Sequence, residues 1–344
     1  MTKRIFLYTP WQEQGLSYDA KVIENLFLAN GYEIIITYRT RKKIQWECEF
    51  QPISAVPKII QPDDIFFSFE VFPVKYLPKI KGITDNIFHM VNYEFYEPDL
   101  NPLLTLCKTI FCKSRIAYEG LLSDGLNQVS YQPWILHEFP ISSYRPHAAG
   151  TLNVLFNGGT GGYKERRNLE AIIHLINDYH DNDVHFTIKL TKKIQRWSRF
   201  ILKRSAKMLT QDSRVTIIQE NYKRDDYINF LNKFDINLAP SKFEGFGLTL
   251  LEALHANLPT LTLDISPLNE IIRHGETGIC IPAKQIDLLR NQPIYQADRI
   301  ELLEGFTQLV KDRTKLTQYK KNLSTSVKLS IDSFNSNMEA ILFE

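Results

Sequence analysis

The feature that most constrains this chain is a regular alternation of two periodicities. Short runs rich in β-branched and aromatic residues recur: RIFLYT (4–9), YEIIITY (32–38), DIFFSFE (64–70), NIFHMVNY (86–93), TIFCKS (109–114) and NQVSYQPW (127–134). Between the first two lies YDAKVIENLFLANG (18–31), in which Ala20, Ile23, Leu26 and Phe27 fall at helical spacing and Gly31 supplies a stop. Strands that alternate with helices predict a mostly parallel sheet covered on both faces.

The pattern lapses in HEFPISSYRPHAAG, before Thr151, and then restarts. TLNVLFN, the helical ERRNLEAIIHLIND, VHFTIKL, RVTIIQ, the helical RDDYINFLNKF, DINLAP and PTLTLD follow in turn, and the rest reads as helices. A chain of 344 residues exceeds what one core organises, so the lapse marks a linker between two domains, 1–145 and 151–325. The predicted architecture is α/β: two Rossmann-like, doubly wound domains facing across a cleft, with ligands at the carboxyl ends of the strands.

Composition excludes more than it selects. Lys and Arg number 41 against 39 Asp and Glu, a net charge of +2 that argues for no particular partner. Cys48, Cys107, Cys112 and Cys280 form no C-x-x-C pair, which argues against a zinc site or a disulfide framework and for a reduced, cytosolic setting. MTKRIFLYTPW is too short in its apolar run for a signal peptide, and no stretch approaches 18 apolar residues, so neither export nor a membrane span is expected.

SKFEGFGLTLLEALHANLP (241–259) carries the chemistry. Pro240 ends the strand before it, Gly245 and Gly247 allow a tight turn, and Leu248 opens a helix with Leu251, Leu254 and Leu258 toward the core. Glu244 then precedes a helix amino terminus, and Glu252 lies one turn below Leu248. The amides of Phe246, Gly247 and Leu248 would form an anion site there. Taken alone, the spacing equally fits a capping Glu244 and a solvated Glu252. Upstream, NGGTGGYKERRNLE (157–170) fails as a dinucleotide fingerprint, because the third glycine position holds Lys164. Lys164, Arg166 and Arg167 instead crowd a helix start, where basic groups are unfavourable without a nearby anion. Asp181-Asn182-Asp183 spells D-x-D but precedes a strand and reads as a turn, and no metal or other cofactor is expected.

The pattern S-x-x-E-G-F-G-L-x-x-x-E-A from Ser241 to Ala253 is followed by Leu258-Pro259, Pro267-Leu-Asn-Glu270-Ile-Ile and Gly275-x-x-Gly278. It resembles the donor-site signature of family 4 retaining glycosyltransferases, which have the GT-B fold. The resemblance is dense from about Asn157 to Pro282 and mainly topological before the linker. It implies a nucleoside diphosphate sugar (UDP- or GDP-linked) as donor substrate, with Glu244 on the transferred sugar and Glu252 on the ribose. The segment Gly245, Phe246, Gly247 and Leu248, with Ser241, would hold sugar or phosphate. Arg167, and next Lys164, would neutralise the leaving diphosphate. The family's Gly-Arg step is absent here, so Arg166 or Lys189 would supply the second cation. Gly15 stands where the family has a glycine-rich loop. His89 stands near the family's sugar-contacting histidine, although a histidine among apolar residues reads equally as part of a core; His137 is not a candidate. A closing helix, about 326–344, would pack back on the first domain.

The acceptor would be a hydroxyl of a glycan or lipid-linked saccharide. Alternatives are a nucleic acid base, or a catalytically silent sugar-nucleotide-binding protein of the same fold. An epimerase or hydrolase using the same cleft is a further rival. Basic segments 39–43 and 191–208 read as solvated faces, or as peripheral contacts to a membrane surface or nucleic acid.

Overall fold

The computed structural model describes residues 3–136, 140–142, 150–159, 166–190, 209, 211–220, 222, 224–289 and 292–343. Lys164, His137 and segment 191–208 lie outside them. The chain divides into two compact units, one of Met1–Glu138 with Ser330–Glu344 and one of Phe139–Leu329.

The first unit is built on a seven-stranded parallel sheet. Its strands are β1 (Arg4–Tyr8), β2 (Glu33–Tyr38), β3 (Phe50–Pro52), β4 (Ile65–Phe69), β5 (Ile87–Val91), β6 (Thr109–Cys112) and β7 (Val129–Tyr131). Their spatial order, β3-β2-β1-β4-β5-β6-β7, reverses direction between β1 and β4. Every residue of β4 and β5 is buried, which is why those runs read as apolar throughout rather than alternating. β3 has no counterpart among the apolar runs: it is three residues, ends in proline, and sits at the sheet edge. The helix Gly15–Ala29 follows β1, burying Ala20, Ile23, Leu26 and Phe27. Phe334, Met338 and Leu342, near the end of the helix Arg313–Phe343, are also buried. Phe343 meets Phe27 and Tyr32 at 5.0 and 5.5 Å between ring centroids, and Phe334 meets Trp134 at 4.8 Å.

The second unit repeats the design with six parallel strands: β8 (Leu152–Gly159), β9 (Val184–Leu190), β10 (Val215–Ile218), β11 (Ile236–Ala239), β12 (Thr260–Leu263) and β13 (Gly278–Ile281). Their order is β10-β9-β8-β11-β12-β13, with the reversal between β8 and β11. Helices Leu169–Asp178, Arg224–Leu231, Leu248–His255 and Arg299–Lys311 connect or cover the strands.

The segment beyond PTLTLD departs from the expected run of helices. It contains β13 and an antiparallel hairpin, β14 (Ala283–Leu289) with β15 (Gln292–Ala297). β13 offers only three apolar residues, Ile279, Cys280 and Ile281, after the glycine turn. β14 is exposed along most of its length, so its hydrophobic pattern does not follow burial.

Candidate functional site

The loop after β11 is fixed from two directions. Its Lys242 amide donates to the Arg166 carbonyl (2.8 Å), while the Tyr295 amide of β15 donates to the Lys242 carbonyl (2.9 Å). Asn168, in a left-handed conformation at φ 61° before the helix Leu169–Asp178, donates from Nδ2 to the Pro240 carbonyl at 3.1 Å. The segment 166–168 is thereby laid along residues 240–242, and this brings Arg166 and Arg167 to Glu244.

Glu244 is only 3% exposed. Its Oε1 accepts a short hydrogen bond from Arg167 Nη1, and Arg166 Nη1 lies 3.7 Å from Oε2. Arg167 Nη1 also donates to Thr249 Oγ1 at 3.0 Å, tying the cation to the first turn of the helix Leu248–His255. That helix begins after Gly247, at φ 92°, and no side-chain cap is seen among the described residues. A Cβ on Gly247 would lie 3.1 Å from Ile271 Cδ1, so the turn requires glycine by both conformation and space. The uncapped terminus adds a partial positive charge to the two guanidinium groups.

A second set of groups surrounds Glu252, which is partly buried. The Tyr227 phenol hydrogen-bonds to it and is raised well above its ordinary value, first by burial and then by the Glu252 charge. Asn157 Nδ2 donates to Tyr227 Oη at 2.7 Å. Asn157 on β8 stands in register with Lys189 on β9. Lys189 is buried, with Nζ 5.7 and 5.5 Å from the ring centroids of Tyr222 and Tyr227. Burial pushes its ammonium below the ordinary value, and the Glu252 charge works against that shift.

The structure thus gathers Glu244, Arg166, Arg167, Ser241, Glu252, Lys189 and the segment 245–248 into the second unit, at the carboxyl ends of β8, β9 and β11. Among them three cations face two carboxylates, and the helix terminus tilts the balance further toward an anionic ligand. Ser241 Oγ, Asn168 Oδ1 and Gln292 Oε1 are buried without a hydrogen-bond partner among the described residues. Thr249, Tyr227, Asn157 and Gln292 are participants that the motif reading passes over. Asn157 opens the glycine stretch and offered a polar signal, whereas Tyr227 is an ordinary aromatic position of an amphipathic helix.

Two other candidates belong to the first unit. Gly15 is the first residue of the helix Gly15–Ala29 rather than part of a glycine-rich loop. His89 lies inside β5 at 1% exposure, with Nδ1 2.9 Å from Ser68 Oγ and its ring 4.0 Å from that of Phe72. Burial pushes its imidazole down to about 3, so it is neutral at physiological pH. The D-x-D carboxylates are engaged by Lys311 Nζ, 2.5 Å from Asp181 and 2.9 Å from Asp183.

Comparison with known proteins adds the family context. Residues 198–322 match the family model described as Glycosyl transferases group 1. Among curated relatives, the UDP-N-acetylglucosamine–peptide N-acetylglucosaminyltransferase GtfA subunit of Streptococcus pneumoniae serotype 4 is 28% identical over 116 residues, covering 28% of this chain and 23% of that protein. The chain spans between 20% and 28% of the length of the four curated relatives it matches. Likeness in structure extends over the whole chain. The apo lipopolysaccharide outer core galactosyltransferase WaaB superposes with a TM-score of 0.73 at 14% identity, covering 99% of each chain. The pneumococcal O-GlcNAc transferase GtfA in complex with UDP and GlcNAc gives 0.70 at 10% identity, covering 100% of each. With its paired parallel sheets the chain has the GT-B fold, and its segment 198–322 is similar to the group 1 glycosyl transferases.

Proposed function

We propose that the chain transfers a sugar from a nucleoside diphosphate sugar, UDP- or GDP-linked, to a hydroxyl of a glycan or lipid-linked acceptor, retaining the anomeric configuration. The observation that carries this reading is the Arg167–Glu244 pair held at the uncapped start of the helix Leu248–His255. UDP in the complex of the similar GtfA structure supports the donor class.

In the reaction the bond from the anomeric carbon to the diphosphate oxygen breaks, and a bond from that carbon to the acceptor oxygen forms on the same face. The acceptor proton passes to an oxygen of the departing diphosphate. Negative charge grows on that diphosphate, and Arg167, Arg166 and the helix terminus stabilise it. Lys189 gains an anionic neighbour that raises its lowered pKa. Glu244 orients the sugar, while Glu252, held by Tyr227, receives the ribose hydroxyls. A reducing cytoplasmic setting belongs to the same reading. So does peripheral contact with a membrane surface through 39–43, where Lys42 and Lys43 are exposed in the turn Arg41–Lys43. Among the described residues no helix is long and apolar enough to cross a membrane.

The test is nucleotide release from a panel of UDP- and GDP-sugars, with and without glycan acceptors. Glu244→Gln and Arg167→Ala are each expected to slow release by about 100-fold or more. Release at the wild-type rate in both variants would remove this site from the reaction.

A further inference from the structure

Arg167 is held in place through one nitrogen of its guanidinium. Nη1 donates to Glu244 Oε1 and, at 3.0 Å, to Thr249 Oγ1, so both of its hydrogens are engaged. Nε and Nη2 donate to nothing among the described residues, and neither is buried away from solvent. The guanidinium is planar, with its N–H groups in a fixed fork, so two acceptors on Nη1 set the plane and leave the Nε–Nη2 edge open. That edge carries the paired, parallel donors that match two oxygens of a phosphate.

Both ends of the Arg167–Thr249 bond start from fixed backbone. Thr249 is the second residue of the helix Leu248–His255, directly behind the turn at Gly247. Arg167 lies between two residues tied to the loop after β11: the Arg166 carbonyl accepts from the Lys242 amide, and Asn168 Nδ2 donates to the Pro240 carbonyl. Glu244 alone would hold Nη1 by a single bond, about which the guanidinium can swing. A second acceptor on the same nitrogen removes that freedom. The Glu244 side chain is 4% exposed and that of Arg167 14%, so the pair is covered on the side of the carboxylate and open on the side of the cation.

We propose that Thr249 is a positioning residue for the transfer reaction: with Glu244 it fixes Arg167 Nη1, so that the Nε–Nη2 edge is presented to the diphosphate of the donor. Arg167 touches the ligand, and Thr249 acts through it. The gain is greatest as charge grows on the departing diphosphate, because donors already in place need no reorganisation at that moment. The identity of the ligand as a nucleoside diphosphate sugar rests on the transferase reading; the open, oriented edge of Arg167 does not.

The test titrates the full chain calorimetrically with UDP, GDP, inorganic pyrophosphate, uridine and guanosine, and measures turnover of the same panel of donor sugars. Thr249→Val keeps the shape and deletes the acceptor oxygen. It is expected to weaken pyrophosphate, and whichever nucleotide binds, by about tenfold, to lower kcat by at least as much, and to leave nucleoside affinity within about twofold of wild type. Thr249→Ser restores the oxygen and is expected to stay within about twofold of wild type throughout. In an Arg167→Ala background Thr249→Val is expected to cost nothing further, as required of a residue that acts through the arginine. Wild-type affinity and kcat in Thr249→Val overturn the proposal. So does an equal loss in Thr249→Val and Thr249→Ser, or the same loss with Arg167 removed, each of which assigns Thr249 to packing alone. If wild type binds pyrophosphate but neither UDP nor GDP, the transferase reading fails, and a tenfold loss of pyrophosphate in Thr249→Val still upholds the positioning of Arg167. Binding of none of the three anions overturns both.

Discussion

Glu244 and His89 show how differently two buried titratable side chains are accommodated. Glu244 is faced by Arg167 and Arg166, and Arg167 is itself anchored on Thr249. Removing one partner of so buried a pair costs about 3 kcal/mol or more, which is why Glu244→Gln is a cleaner probe than Arg167→Ala. His89 has a serine hydroxyl and an aromatic ring beside it, and stays neutral. With its folded pKa near 3 and an unfolded value near 6.5, the unfolded chain binds the extra proton between those limits. His89 thus contributes stability in full above about pH 6.5, and loses it as pH falls toward 3, by up to about 1.4 kcal/mol per pH unit. In His89→Asn the slope of unfolding free energy between pH 6 and 4.5, measured by urea titration, is expected to be shallower by about one proton. At this scale the sequence was legible where spacing encodes chemistry. Glu244 and Glu252 were readable because a turn with two glycines and a helix start leave few places for a carboxylate. Tyr227 was not, because it is an ordinary aromatic position of its helix and meets Glu252 and Asn157 only in the folded unit.

At the scale of elements, eleven of the thirteen strands in the two parallel sheets match apolar runs in the sequence, because central strands buried on both faces are written as continuous β-branched and aromatic residues. β3 is a three-residue edge strand ending in proline, β13 offers only three apolar residues after Gly278, and the hairpin β14–β15 escaped for want of burial. The hairpin nonetheless serves the site, since the Tyr295 amide fixes Lys242 and Gln292 Nε2 reaches the Glu244 carbonyl at 3.5 Å. The Gly275-x-x-Gly278 motif has a comparable physical basis. A Cβ on Gly278 would lie 2.1 Å from the Thr260 carbonyl oxygen and 2.9 Å from Ile272. Gly278→Ala forces β13 away from β12 and is expected to destabilise the second unit by about 2–3 kcal/mol, seen as a lower urea midpoint. An unchanged midpoint would mean that the strand pair gives way freely.

For the molecule as a whole, the division into units is not a division of the chain into two consecutive halves. The helix Arg313–Phe343 begins among residues of the second unit, and from Ser330 onward belongs with the first. Phe334, Met338 and Leu342 are at most 5% exposed there. Burial of three such side chains contributes roughly 5 kcal/mol. Deleting 333–344 is expected to lower amide protection in β1, β2 and the helix Gly15–Ala29 while leaving β8 to β12 protected; hydrogen exchange by mass spectrometry reads both. Equal protection in the truncated and full chains would contradict this account of the closing helix.

The same helix sets a timetable for synthesis. The first 138 residues leave the ribosome with Phe27, Tyr32 and Trp134 uncovered, because the side chains that cover them arrive roughly 200 residues later. At translation rates of about 5–20 residues per second, that interval is on the order of 10–40 s. During it the intervening unit can complete its own sheet, whereas the unit begun first is finished last. The newborn chain therefore carries uncovered aromatic side chains in its amino-terminal half for longest, although that half had the longest time to fold.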